Sequence, residues 1–270
     1  MMELILLYVA VGAVAGILAG LLGIGGGLVI VPMLVFTLTW QAVPREHLMH
    51  LALGTSMASI IFTSVSSFMA HHRRGAVQWE VVRRIALGIL LGTFLGATLA
   101  SRLSTNVLKV IFVIFLYYMA GQLFTDRKPK AGRTLPGPWG MFGVGNVIGV
   151  VSAFVGIGGG TLSVPFMIYC NLPVHTAIGT SAAIGFPIAM AGTLGYIVNG
   201  LGAADLPPFS LGYIYLPALL GIVGCSMLTA PLGVRLAHSL PVDRLKRVFA
   251  LLLFVVGTKM LWDLMQYWRG

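Results

Sequence analysis

Charge is what this sequence has least of. Charged residues fill 9% of its 270 positions while hydrophobic ones fill 58%, far from the roughly one quarter charged that a soluble domain carries, so a water-soluble globular protein is excluded. Cysteine is nearly absent too. Cys170 and Cys225 both sit inside apolar segments, which offers neither a disulfide framework nor a metal motif and reads as two small buried hydrophobes. No basic stretch precedes the first apolar run and no clear cleavage site follows it, so that run reads as a permanent helix and not a removable signal. The glycine-rich runs lack the Gly-Lys-Ser/Thr ending of a phosphate-binding nucleotide loop.

What is there is a succession of apolar runs near the roughly 20 residues that span a bilayer. Ten segments are expected, at about 3–22, 28–40, 48–70, 84–101, 107–124, 138–155, 161–172, 174–198, 211–232 and 248–267. The chain is thus an all-α polytopic membrane protein with the lipid bilayer as its solvent. Its formal charge of +10 lies mostly in short connectors, where the positive-inside rule accounts for it without nucleic acid as a partner.

The sequence repeats itself. "GIGGGLVIVP" at Gly23 to Pro32 and "GIGGGTLSVP" at Gly156 to Pro165 share seven of ten positions at an offset of 133. "HLALGTSMA" from His50 and "HTAIGTSAA" from His175 share six of nine at an offset of 125, and Gly88 to Leu103 aligns with Gly221 to Leu236 at 133 again. Two repeats of about five segments follow, at 1–125 and 139–270, joined by the polar, proline- and glycine-rich linker 126–138, "DRKPKAGRTLPGP".

Connector charge sets their relative orientation. Arg73, Arg74, Arg83 and Arg84, then Arg127, Lys128, Lys130 and Arg133, then Arg235, Arg244, Lys246 and Arg247 form three basic groups that belong on the cytoplasmic side. Meeting that condition needs five crossings per half, the short segments included. The second half then enters the membrane inverted, with both termini outside the cytoplasmic (inner) membrane. Four crossings with re-entrant loops would give parallel halves and put the third basic group on the wrong side.

Gly12, Gly16 and Gly20, mirrored by Gly145, Gly149 and Ala153, read as small-residue ridges for close helix packing. Gly25, Gly26 and Gly27, with their copies Gly158, Gly159 and Gly160, read differently, since three consecutive glycines break a helix. In lipid such a break must be buried in protein or line a polar cavity. Pro32 and Pro165 suit the first turn of the following helix, whose bare N-terminal amides would form an anion site. Thr55 and Ser56, with Thr180 and Ser181, offer that anion hydroxyl donors from the duplicated "GTS". His50 and His175, equivalent and near neutral in pKa, are candidates for proton coupling. Lys259 and Asp263, four apart, are expected to pair on one helical face.

The doubled "GIGGG" with its Val-Pro, each followed by "GTS", resembles the sulfite exporter TauE/SafE family of membrane transporters over essentially the whole chain. That resemblance implies outward movement of sulfite, another sulfur oxyanion or an organosulfonate such as sulfoacetate. The expected protein is a secondary transporter of a small anion, needing no cofactor, metal or catalytic residue, with homo-oligomer formation open. An anion channel of the same fold is the alternative. An intramembrane serine hydrolase has little support, because His50 and Ser56, six apart, do not share a helical face.

Overall fold

A computed structural model describes residues 2–22, 26–125, 132–239 and 243–269. These residues form ten helices: α1 (Met2–Leu22), α2 (Gly27–Trp40), α3 (Leu48–His72), α4 (Trp79–Ser101), α5 (Thr105–Thr125), α6 (Pro138–Val155), α7 (Gly160–Tyr169), α8 (Val174–Gly200), α9 (Leu216–Ser239) and α10 (Asp243–Arg269). Seven helical segments among them are long and apolar enough to cross a membrane, so the chain is a multi-pass membrane protein. Leu87, Leu91, Leu95 and Leu99 make an exposed stripe along α4; four leucines on one outer face suit hydrocarbon, not water.

Three local expectations need correcting. A short antiparallel hairpin, β1 (Ser210–Leu211) with β2 (Ile214–Tyr215), occupies the approach to α9, so that helix starts five residues later than its apolar run. Helices α4 and α10 start five residues earlier than expected and take Arg83, Arg84 and Arg247 into their second turns, because a helix end can carry charge where it reaches the bilayer surface. Pro32 and Pro165 lie inside α2 and α7, not in their first turns. The glycine break sets the start of each helix, so the proline comes one turn later and leaves an internal carbonyl without its amide partner.

Small residues decide which helices touch. The α-carbons of Gly12, Gly16 and Gly20 lie against the backbone of Ile222, Ser226 and Ala230, and the ascending order shows that α1 and α9 run parallel. Gly88, Gly92 and Gly96 of α4 lie likewise against Phe142, Asn146 and Val150 of α6. In lipid, where apolar side chains gain nothing by leaving solvent, such backbone approach supplies the dispersion contact that holds helices together. The packing expected of the two ridges is thus observed, each half placing its first helix on the other half's fourth.

The repeat-equivalent helices α3 and α8 pack at the centre in descending order, Gly54 meeting Tyr196, Met57 meeting Gly192, and Ser64 meeting Gly185. They run antiparallel. So do α5 and α10, where Tyr117 and Thr258 share a hydroxyl hydrogen bond of 3.0 Å and Lys109 interacts with Asp263. The helices α1, α3 and α9 point one way, since His71 of α3 meets the Gly20 carbonyl, and Thr63 and Arg74 reach Ser226 and Val234. Helices α4, α6 and α8 point the other way, Thr93 lying beside Gly192 and Asn199 donating to Thr98. One end of the bundle therefore collects the α3–α4 connector, the end of α9, the start of α10 and the residues entering α6, with Arg73, Arg74, Arg133 and Arg235. The start of α1 and the end of α10 lie at the opposite end.

Candidate functional site

Both glycine breaks build the same backbone. Gly26 stands before α2 at φ 80° and ψ −7°, and Gly159 stands before α7 at φ 76° and ψ −12°, a left-handed conformation that costs any residue with a Cβ about 1–2 kcal/mol. Neither helix start has a side-chain cap. The first bonds run from the amides of Val29 and Ile30 to the Gly26 carbonyl, and from those of Leu162 and Ser163 to the Gly159 carbonyl, so the earlier amides are those a helix cannot satisfy itself.

Depth follows from the neighbours. Gly26 touches Ala15, near the middle of α1, and Gly159 touches Ile188, near the middle of α8. From there α2 runs to the end of the bundle where Tyr8 and Tyr215 bond Gln41 at 3.0 and 2.9 Å. Helix α7 runs to the opposite end, where Gly132 donates to the Tyr169 carbonyl. Two half-helices thus start near mid-depth and diverge. The two breaks touch where Gly27, at the start of α2, lies against the Gly156 carbonyl at the end of α6, and Gly158 lies beside Gly185 of α8. Each N-terminus carries about half a positive charge from its macrodipole, concentrated in a buried region. Gly25, with Gly23 and Ile24, lies outside the described residues.

The "GTS" motifs split into two jobs. Gly54 and Gly179 lie against the carbonyls of Tyr213 and Ala76. One residue on, Thr55 Oγ1 accepts the Tyr215 amide at 2.8 Å and Thr180 Oγ1 accepts the Gln78 amide at 3.0 Å. The pair therefore pins the segments that enter α9 and α4. The serines face inward: Ser56 Oγ donates to the Gly156 carbonyl at 2.7 Å, and Ser181 Oγ accepts from Ser163 Oγ at 2.8 Å. Of the residues expected at the site, Gly27 and Ser56 both reach the Gly156 carbonyl, Gly158 lies beside Gly185, Gly159 beside Ile188, and Ser181 bonds Ser163 of α7, while Thr55 and Thr180 hold neighbouring segments.

The histidines are not a matched pair. His50 is buried at the start of α3, its ring nitrogens 3.0 Å from the carbonyls of Glu46 and Leu103 and its face stacked on Tyr213 at 4.9 Å, whereas His175 is exposed. Six residues of α3, about 9 Å of rise, separate His50 from Ser56. The expected Lys259–Asp263 pair does not form either. The Lys259 ammonium sits 4.5 Å from the centre of the Phe36 ring, an attraction that desolvates less than an ion pair.

Three polar residues near the second break escaped attention in the sequence: Ser152, Thr161 and Ser163, all buried. Their signal was present as mismatches. Within the repeated motif "GIGGGTLSVP", Thr161 and Ser163 stand where the first copy has Leu28 and Ile30.

The chain is similar to known membrane transporters over almost its whole length. The chain is 42% identical over 261 residues, covering 96% of it and 99% of the relative, to a probable membrane transporter protein of Haemophilus influenzae. It is 26% identical to a probable membrane transporter protein of Methanocaldococcus jannaschii, covering 94% of each. It is 26% identical to the probable membrane transporter protein YunE of Bacillus subtilis, covering 95% of this chain and 97% of the relative. No solved structure matches it. The profile of the sulfite exporter TauE/SafE family matches residues 8–260, and with both glycine breaks inside that match the chain belongs to this family of membrane transporters.

Proposed function

We propose that this transporter carries a small sulfur-containing anion, sulfite or an organosulfonate such as sulfoacetate, outward across the cytoplasmic membrane by alternating access between two inverted-topology halves. The observation that carries the proposal is the contact of the two glycine breaks near mid-depth, Gly27 on Gly156, with an uncapped half-helix start at each break. Bare amides and converging dipoles are the means by which a protein holds an anion without a buried cation. Ser56 and Ser181 line the same region, and Thr55 and Thr180 hold its walls. The antiparallel packing of α3 on α8 and of α5 on α10 supports inverted halves. The gathering of basic residues at one end supports placing that end in the cytoplasm and both termini outside. Sulfur as the element carried is favoured by the name of the family.

The test is flux of sulfite and sulfoacetate in proteoliposomes. Replacing Gly26 and Gly159 with leucine abolishes flux in protein that remains monodisperse; normal flux in that variant overturns the site.

A further inference from the structure

The hydroxyl groups around the two breaks are unevenly distributed. The offset of 133 sets Ser152, Thr161 and Ser163 opposite Ala19, Leu28 and Ile30. One half-helix start is polar and its copy is not. Elsewhere in these helices a hydroxyl usually bonds back to its own turn, as Thr63 does to Ser59, Ser64 to Ile61 and Thr98 to Phe94. Ser152 Oγ and Thr161 Oγ1 have no hydrogen-bond partner at all, although Ser152 is fully buried and Thr161 is 3% exposed.

Position explains why Thr161 stays unpaired. Thr161 is the second residue of α7 and has no helical carbonyl four residues behind it. Ser152 Oγ lies 3.6 Å from the point where a Cβ on Gly159 would stand, beside the residue that caps α7. Two desolvated donors therefore flank one helix N-terminus, next to the amides of Gly160 and Thr161. A buried hydroxyl without a partner is a penalty that a ligand can remove. No such pair flanks α2, where Ala19, Leu28 and Ile30 are all buried and apolar.

We propose that side-chain donors hold the anion from one side only, its oxyanion head at the start of α7, where the hydroxyls of Ser152 and Thr161 donate to its oxygens. Ser163 and Ser181, bonded to each other at 2.8 Å, form the next polar layer. At the start of α2, Ala19, Leu28 and Ile30 offer the anion no such hydroxyl. The inference rests on the anion-transport reading above and distinguishes its two similar ends by which of them adds side-chain donors to the amides.

The experiment uses the full chain in proteoliposomes, with KM for sulfite and for sulfoacetate as the readout. Ser152→Ala and Thr161→Val each raise KM about tenfold or more, the loss expected for one hydrogen bond to a charged group. Thr161→Ser keeps the hydroxyl and stays within about twofold of wild type, as do Ala19→Ser and Ile30→Val on the other side. Should the Thr161→Val protein fail to fold, Thr161→Ala reads the same contact. Unchanged KM in Ser152→Ala and in the Thr161 variant that lacks the hydroxyl overturns one-sided binding while leaving anion transport intact. So does an Ala19→Ser shift as large as theirs. Wild-type protein that moves neither anion overturns the transport reading itself.

Discussion

Replacing Gly27 with alanine separates what a helix wants from what the meeting of the two halves allows. Gly27 is the first residue of α2 and has an ordinary negative φ, so alanine is acceptable to the helix itself, where it is better than glycine by up to about 1 kcal/mol. Its added methyl, however, meets the Gly156 carbonyl oxygen and lies 3.1 Å from the Ile157 α-carbon. Both obstacles are backbone and cannot turn aside as a side chain would. Forcing one methyl into such a contact costs about 1–3 kcal/mol, which cancels or outweighs the helical gain. Gly121 in α5 is the control, since nothing lies within 4 Å of the methyl that alanine would add there. For a chain of this size each kcal/mol moves the midpoint by about 2–4 °C. In detergent, Gly121→Ala therefore raises the midpoint by about 2–4 °C and Gly27→Ala lowers it by up to about 8 °C, with reduced anion flux because α2 is pushed off the second break at Gly156. A Gly27→Ala protein as stable as the Gly121→Ala protein, with normal flux, refutes the close approach of α2 to Gly156.

Ser56→Ala removes the donor to the Gly156 carbonyl across the two halves and lowers stability by about 1–3 kcal/mol, read as a drop in thermal midpoint. Thr180→Val strands the Gln78 amide at the head of α4; the expected loss is about 1–2 kcal/mol, and unchanged hydrogen exchange at Gln78 would speak against the anchor. Reporter fusions at residues 130 and 242 both report cytoplasm, and opposite sides would overturn the shared basic end. Burial, with the neighbouring Tyr8 adding to it, raises the Tyr215 hydroxyl above its ordinary 10.0. A phenol whose folded-state pKa is raised stabilises the fold fully below about pH 10 and loses that contribution as pH climbs further, so alkaline unfolding begins there and Tyr215→Phe is less sensitive to it.

How legible the protein was depends on the range of the interaction. Ten apolar segments were readable because each helix in lipid must satisfy its own backbone, which is a local condition. The ridge of Gly12, Gly16 and Gly20 was readable as a packing face for the same reason, though its partner, α9, was not. The "GTS" motif misled in part: Thr55 and Ser56 are neighbours in sequence, yet one anchors an amide 160 residues away and the other bonds the opposite break. The serine and threonine of α7 were not legible, because a repeat marks out what its copies share, whereas the asymmetry lies in what they do not.

The sequence by itself determined the solvent, the helices and the duplication, since hydropathy, glycine breaks and repeated motifs act within a turn or two of chain. Tertiary structure decided which breaks meet, that α2 and α7 diverge from a common depth, and which hydroxyls are left without partners. Those outcomes depend on backbones from distant segments touching at glycine, and no local pattern encodes the partner of a residue that has no side chain.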